Sequence, residues 1–291
     1  MKLVRRAAVQ AATATATATA ALVALAVAGP LGLGTAQAEV PPDHALFLPE
    51  PALQGANDFS CKPTADKPNP VVLVHGFGAT ASENWYFFAP HLAAQGYCVF
   101  AKTYGQDPRY PSRGGVQPME RSAAELAAFV DEVLAATGAK KVDIVGHSEG
   151  AIMPRWYLKF LGGTKKVEHF VGWAGPNHGT DIQGITKLRE FIPGWDAQMG
   201  SYCGPCPQFM PGSDFITRLN AGDETPGSTH YTVIVTKYDE IVTPYQTSFL
   251  EGAENIVLQE VDPMNWAGHG SMAADALTFD LTVKALQAHA H

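Results

Sequence analysis

Six short runs rich in Val, Ile and Phe recur after residue 70: Val71–His75, Cys98–Thr103, Val142–Gly146, Val167–Ala174, Tyr231–Thr236 and Ile256–Val261. Each is apolar without strict alternation, the pattern of a strand buried on both faces, as in a parallel sheet. Helical spacing fills several of the gaps. Leu126, Val130, Val133, Leu134 and Thr137 recur at three- and four-residue steps and form one face, with Gly138 placed to end the helix. Residues 151–161 predict a second helix, and Met272, Ala276, Phe279, Val283 and Leu286 form a stripe near the C-terminus. Strand and helix in alternation predict a doubly wound α/β domain over residues 71–291, with a mainly parallel sheet of six or slightly more strands and helices on both faces. Residues 181–228 break the rhythm, because ordinary connections in such units run to about 2 to 6 residues. This stretch reads as a small cap inserted between the fourth and fifth strands.

The chain before the first strand has a different texture. Residues 39–70 are rich in proline and have little periodicity, which suggests an irregular arm laid over the domain. Residues 1–38 place Lys2, Arg5 and Arg6 before a long Ala/Val/Leu stretch that closes on the small-residue site Ala36-Gln37-Ala38. That is the layout of a cleaved export signal, and it predicts a secreted protein with no integral membrane segment after cleavage. With 28 acidic and 20 basic residues the formal net charge is −8, and it becomes more negative once the leader is removed. Such a chain is a poor partner for nucleic acid. A neutral lipid–water interface remains open to it.

In an exported chain the four cysteines are read as two disulfides. Cys203 and Cys206 are close enough to pair locally, which leaves Cys61 in the arm to meet Cys98 at the start of a strand. A redox Cys-x-x-Cys motif is the rival reading of Cys203-Gly204-Pro205-Cys206, but that motif belongs after a strand and at a helix start, not in a Gly/Pro-rich loop. No run of acidic residues has the ligand spacing of a calcium loop, and neither a metal nor an organic cofactor is expected.

Chemistry concentrates at Gly146-His147-Ser148-Glu149-Gly150. Gly-x-Ser-x-Gly alone is a weak signal, but here it lies between a strand and a helix, where a sharp turn lifts a serine hydroxyl clear of the sheet edge. Two glycines let neighbouring backbone approach that turn. Acyl transfer also needs donors aimed at the developing oxyanion, and rigid main-chain N–H groups serve. The N–H of Phe77 in His75-Gly76-Phe77-Gly78 is one candidate, and that of Glu149 is the other. A serine needs a base and an orienting acid, which follow it in the order acid then histidine in this class of fold. Asp239, just past the fifth strand, is the expected acid, with Glu240 and Asp262 as rivals. His269, flanked by Gly268 and Gly270, is the expected base, and activity should rise as it loses its proton. His178 precedes every candidate acid and is expected to line the pocket instead.

Together these motifs, with Gly175-Pro176-Asn177-His178-Gly179-Thr180 and Tyr238-Asp239-Glu240-Ile241-Val242-Thr243-Pro244, resemble those of the secreted bacterial class 2 lipases and esterases, notably actinobacterial ones. The resemblance spans residues 58–286. It implies an α/β-hydrolase fold, a Ser148-His269-Asp239 triad and hydrolysis of carboxylic esters without an organic cofactor.

The inserted stretch carries Ile182, Ile185, Leu188, Phe191, Ile192, Trp195, Met199, Tyr202, Phe209, Met210 and Phe215, which form either an acyl groove or the cap's own core. Trp85, Tyr86 and Phe87 are a second candidate wall, and Trp85, His178, Phe191 and Trp195 are the named pocket residues. An apolar groove favours hydrophobic esters such as triacylglycerols. An acyltransferase, a polyester-degrading hydrolase and a non-enzymatic binding protein on the same fold are the competing functions.

Overall fold

The computed structural model of the protein describes residues 50–184, 186 and 191–288. The expected leader, the start of the arm, Ile185 and Leu188 lie outside these residues.

The elements follow in order as β1 (Val71–Val74), α1 (Ala81–Trp85), α2 (Phe88–Ala94), β2 (Val99–Ala101), α3 (Met119–Thr137), β3 (Val142–His147) and α4 (Glu149–Phe160). Then come β4 (Val167–Trp173), α5 (Trp195–Tyr202), α6 (Asp214–Asn220), β5 (His230–Val235), β6 (Glu254–Val257), α7 (Leu258–Val261) and α8 (Ala276–Gln287). The six strands make one sheet in the order β2-β1-β3-β4-β5-β6. Every neighbouring pair is parallel. β1 and β3 are buried along their whole length, β1 as an unbroken apolar run and β3 with Asp143 and His147 buried among its apolar residues.

Helices cover both faces, and each face has its own core. On one, Val72, Ile144 and Phe170 of the sheet meet Leu126, Val130 and Val133 of α3 and Trp156 of α4. Gly138 ends α3 with φ of 76°, and its N–H reaches back to Leu134 O, as the glycine there requires. On the other face, Val71, Val145 and Trp173 meet Trp85, Phe88, Phe279 and Leu286. Part of the inserted stretch joins the first of these cores: Phe215 of α6 stacks on Trp156 with ring centroids 5.0 Å apart.

Two expectations are corrected. The sixth strand begins at Glu254 and stops at Val257, and Leu258–Val261 turns into a helix. The turn brings Gln259 back against the end of β5, where its Oε1 accepts the Lys237 N–H at 2.8 Å and its Nε2 donates to Thr236 Oγ1 at 2.9 Å. Apolar composition does not distinguish that turn from more strand. At the C-terminus α8 begins only at Ala276, which is exposed, and its buried face is Thr278, Phe279, Thr282, Ala285 and Leu286. Thr282 joins the inner face, where its hydroxyl accepts the indole N–H of Trp173 at 2.8 Å, while the expected Val283 packs partly buried against the same core.

The arm is tied to the sheet at β2. Asn57 donates its main-chain N–H to Val99 O at 2.8 Å, and its side-chain amide bonds both the C=O and the N–H of Ala101 at 2.8 and 2.9 Å. The Cys61–Cys98 disulfide fixes the same contact. Cys203 and Cys206 close the second disulfide locally, with Cα atoms 5.4 Å apart.

Candidate active site

Four chain segments meet at the site: the loops after β1, β3 and β5, and the stretch around His269 between α7 and α8. Between β3 and α4 the backbone reverses through Ser148, which takes φ of 58° and ψ of −118°. A positive φ is costly for a residue with a Cβ, and the surrounding glycines are what make it fit. A Cβ on Gly146 would lie 1.7 Å from Gly150 O, and one on Gly150 would lie 2.0 Å from Val74 O.

Ser148 Oγ lies 2.9 Å from His269 Nε2, and His269 Nδ1 lies 2.9 Å from Asp239 Oδ2. The acid needs its ring partner protonated on Nδ1, which leaves Nε2 free to accept the serine proton. Asp239 is nearly buried and its other oxygen accepts the N–H groups of Ile241 and Val242 at 2.9 and 2.7 Å.

The rival acids do other things. Glu240 Oε2 accepts the main-chain N–H of His269 at 3.0 Å, so it holds the histidine loop and not the ring. Asp262 accepts the Met264 N–H at 2.9 Å in its own exposed turn. The two loops are further joined by a bridge between Tyr238 and Gly268 and by the Thr236 hydroxyl on Ala267 O at 2.5 Å.

The loop after β1 approaches the serine closely: a Cβ on Gly76 would lie 3.1 Å from Ser148 Cβ. Its geometry is set from behind by His75, whose ring is fully buried and stacks on Tyr104 with centroids 4.3 Å apart. His75 Nδ1 donates to Gly76 O at 2.8 Å while Nε2 accepts the Tyr104 N–H at 3.2 Å, which is the neutral ring. Burial pushes its pKa down to about 4, in keeping with that assignment. The Tyr104 hydroxyl donates to His75 O at 2.8 Å. Glu149 opens α4, so its main-chain N–H is one of those a helix start leaves without an intrahelical acceptor.

Two further side chains complete the frame: Asn84, which carries no signal in the sequence, and His147, expected as a packed neighbour of Ser148 and buried there. Asn84, on α1, accepts the Gly76 N–H on Oδ1 at 3.1 Å. His147 lies with Nδ1 3.1 Å from the same oxygen and Nε2 3.0 Å from His269 O. Burial, and then the neighbouring His269, push the pKa of His147 down to about 3. A buried polar residue on a short helix carries no periodic signal, which is why Asn84 is invisible in the sequence.

The expected pocket residues fare less well. Trp85 is fully buried beneath the sheet, its ring 5.1 Å from Trp173, and is core and not wall. The run Trp85-Tyr86-Phe87 straddles the end of α1, so its first member faces inward while Tyr86 and Phe87 are 67% and 56% exposed. His178 is engaged elsewhere: its Nδ1 meets Thr247 O at 3.1 Å and its Nε2 meets Glu224 Oε1 at 2.9 Å, so it pins loops together. Phe191 is exposed, and Trp195 is half-buried at the start of α5. Among the described residues no group of three His, Cys, Asp or Glu side chains is placed to hold a metal ion, and no helix is long and apolar enough to cross a membrane.

Residues 68–277 match the model of the family Lipase (class 2). The chain belongs to the class 2 lipase family. Within the α/β-hydrolase superfamily, this lipase-family chain is similar in structure to Aspergillus fumigatus lipase B, with a TM-score of 0.62 at 21% identity over 79% of this chain and 54% of that one. The mature Bacillus licheniformis lipase BlEst2 gives 0.57 at 19% identity, over 81% of this chain and 96% of that one. In sequence, triacylglycerol lipases of Pseudarthrobacter phenanthrenivorans and Burkholderia plantarii are each 35% identical over 94 residues, or 30% of this chain. The chain matches 27% and 24% of the length of those two relatives.

Proposed function

We propose that this chain is a secreted carboxylic ester hydrolase that cleaves esters of hydrophobic acyl groups, such as triacylglycerols, through an acyl-serine intermediate. The observation that carries this reading is the unbroken line from Ser148 Oγ through His269 to Asp239, with 2.9 Å at each step. Ser148 attacks the ester carbonyl as its proton passes to His269 Nε2. Asp239 stabilises the imidazolium, and the N–H groups of Phe77 and Glu149 receive the oxyanion. His269 then gives the proton to the departing alcohol, takes one from water, and the hydroxide so formed releases the acid and restores the serine. Net, one ester and one water become one acid and one alcohol.

The hydrophobic preference is supported by exposed aromatics on the site-bearing segments themselves. Phe77 sits on the loop after β1, Tyr238 precedes Asp239, and Trp266 stacks on Tyr238 with centroids 4.9 Å apart. Residues 181–228 are assigned as the cap over this surface, and residues 1–38 as the cleaved leader. The four-cysteine, two-disulfide pattern fits an exported chain. The test is labelling with an active-site phosphonate alongside Ser148→Ala, followed by hydrolysis of short and long acyl esters. Labelling confined to Ser148 and turnover of the longer esters are expected. No label, or ester formation with added alcohol in place of hydrolysis, sinks the reading.

A further inference from the structure

The Glu149 side chain takes no part in the chemistry described above, yet it is completely buried directly behind the serine. Neither carboxyl oxygen meets a well-aligned hydrogen-bond partner, and the Tyr104 hydroxyl beside the carboxyl already donates to His75 O. Buried carboxyls left in that state are expensive, and one that persists beside a reactive residue invites a reason. The reason lies in what it touches. Gly115 is wedged between the Glu149 carboxyl and the backbone of Phe77: a Cβ there would meet Glu149 Oε2 at 3.1 Å and Phe77 Cα at 3.2 Å. Gly115 also has φ of 63°, open to glycine and strained for other residues. The same strip of chain grips the far end of the loop after β1, since Gly78 N–H donates to Gly114 O at 2.9 Å and Gly114 N–H to Ala79 O at 3.0 Å. Gly115 N–H is fixed in turn on Tyr104 O at 2.8 Å.

We propose that the Glu149 side chain is a positioning residue for the oxyanion site, setting through Gly115 where the Phe77 N–H stands. This rests on the triad reading above. The packing demands a carboxyl of neutral form. The titratable group that faces it is Tyr104 from the loop after β2, its hydroxyl donated to His75 O; around Tyr104 in turn lie the His75 ring stacked on it and Glu125 of α3, which accepts the Gly105 N–H at 2.9 Å. None supplies a positive charge. Burial accordingly pushes Glu149 well above the usual carboxylate range, and Tyr104 well above the usual phenol range. An ionised Glu149 needs water or a cation where Gly115 now sits, and admitting either displaces the wedge and the Phe77 N–H with it.

The experiment measures kcat and KM for a soluble ester from neutral to alkaline pH in the native chain, Glu149→Gln and Glu149→Ala. Circular dichroism checks folding, and the infrared carbonyl stretch of a neutral carboxylic acid is read at pH 8. A native kcat that falls on the alkaline side while the fold persists is expected, together with a neutral-acid band that Glu149→Gln removes. Glu149→Ala should lose about tenfold or more in kcat with KM within about threefold, the mark of an interaction made in the transition state. Glu149→Gln should recover that loss and show no alkaline fall. The proposal is overturned if Glu149→Gln keeps the native alkaline limb, if the native band is absent, or if Glu149→Ala raises KM with kcat unmoved. If Glu149→Ala does not fold, the Gln comparison and the infrared band decide it. A native chain that takes no phosphonate at Ser148 defeats the triad reading and this proposal together, whereas a labelled, active chain without the band defeats this proposal alone.

Discussion

The carboxylate of Asp239 divides its two oxygens between His269 and its own loop: Oδ2 faces His269 Nδ1 at 2.9 Å, and Oδ1 holds two main-chain N–H groups. Its orientation is therefore fixed before any substrate arrives. In Asp239→Asn the Oδ1 contacts can survive, but an amide NH2 then faces Nδ1 and favours the ring tautomer that protonates Nε2, which cannot accept the serine proton. Steady-state kinetics should show kcat down by about 10³- to 10⁴-fold with the fold intact. A loss below tenfold would move the acid role elsewhere.

Glu240 separates from its neighbour by the same assay. It bonds the main chain of His269 and leaves the ring alone, so Glu240→Ala removes one partly solvated hydrogen bond worth about 1 kcal/mol. The expected loss in kcat is about fivefold, far smaller than for Asp239→Asn.

The turn at Ser148 is sterically saturated. Gly146→Ala would set a Cβ 1.7 Å from the carbonyl oxygen of Gly150, which only backbone movement relieves. Destabilisation beyond about 4 kcal/mol is expected, seen as loss of soluble folded protein or a collapsed melting temperature. Gly270→Ala, where an added Cβ meets nothing within 4 Å, is the matched control and should melt near the native temperature.

The two disulfides should differ in weight. Cys61 and Cys98 are 37 residues apart and Cys203 and Cys206 only 3, so opening the first frees far more chain in the unfolded state. Replacing Cys61 and Cys98 by Ala should cost about 4 kcal/mol in denaturant unfolding, and replacing Cys203 and Cys206 less.

Glu149 also makes a prediction about stability. Its folded pKa is raised by burial, so the folded state resists an ionisation that the unfolded chain undergoes freely near the ordinary carboxylate value. The contribution is full at pH below that value and declines as pH rises toward the folded value. Melting curves of native protein and Glu149→Gln should lie closest at about pH 4, and the variant should gain relative stability from there to pH 8. A constant offset across that range would mean that the carboxyl is already ionised.

The sheet and the chain order of Ser148, Asp239 and His269 are legible in the sequence because both are one-dimensional signals: apolar runs for buried strands, and residues fixed at strand ends. What escaped is three-dimensional in origin. Trp85 and Phe87 are two residues apart and equally apolar, yet one is core and the other surface, since a helix end lies between them. Leu258–Val261 has strand-like composition, but the amide of Gln259 finds its partners only by turning back to β5. Asn84 acts through hydrogen bonds between distant segments, and Glu149 was legible only as a main-chain donor, its carboxyl being defined by a glycine 34 positions earlier.

β2 is the last strand on its side of the sheet, and a terminal strand is a template on which another chain can add by backbone pairing. The amide of Asn57 already occupies the Ala101 peptide groups, so a short polar side chain stands where a foreign strand would dock. Nicking the arm between Asn57 and Cys61 would leave the site residues in place and the disulfide closed while unsealing that border. The damage would then appear first as self-association, with catalysis lost only afterwards.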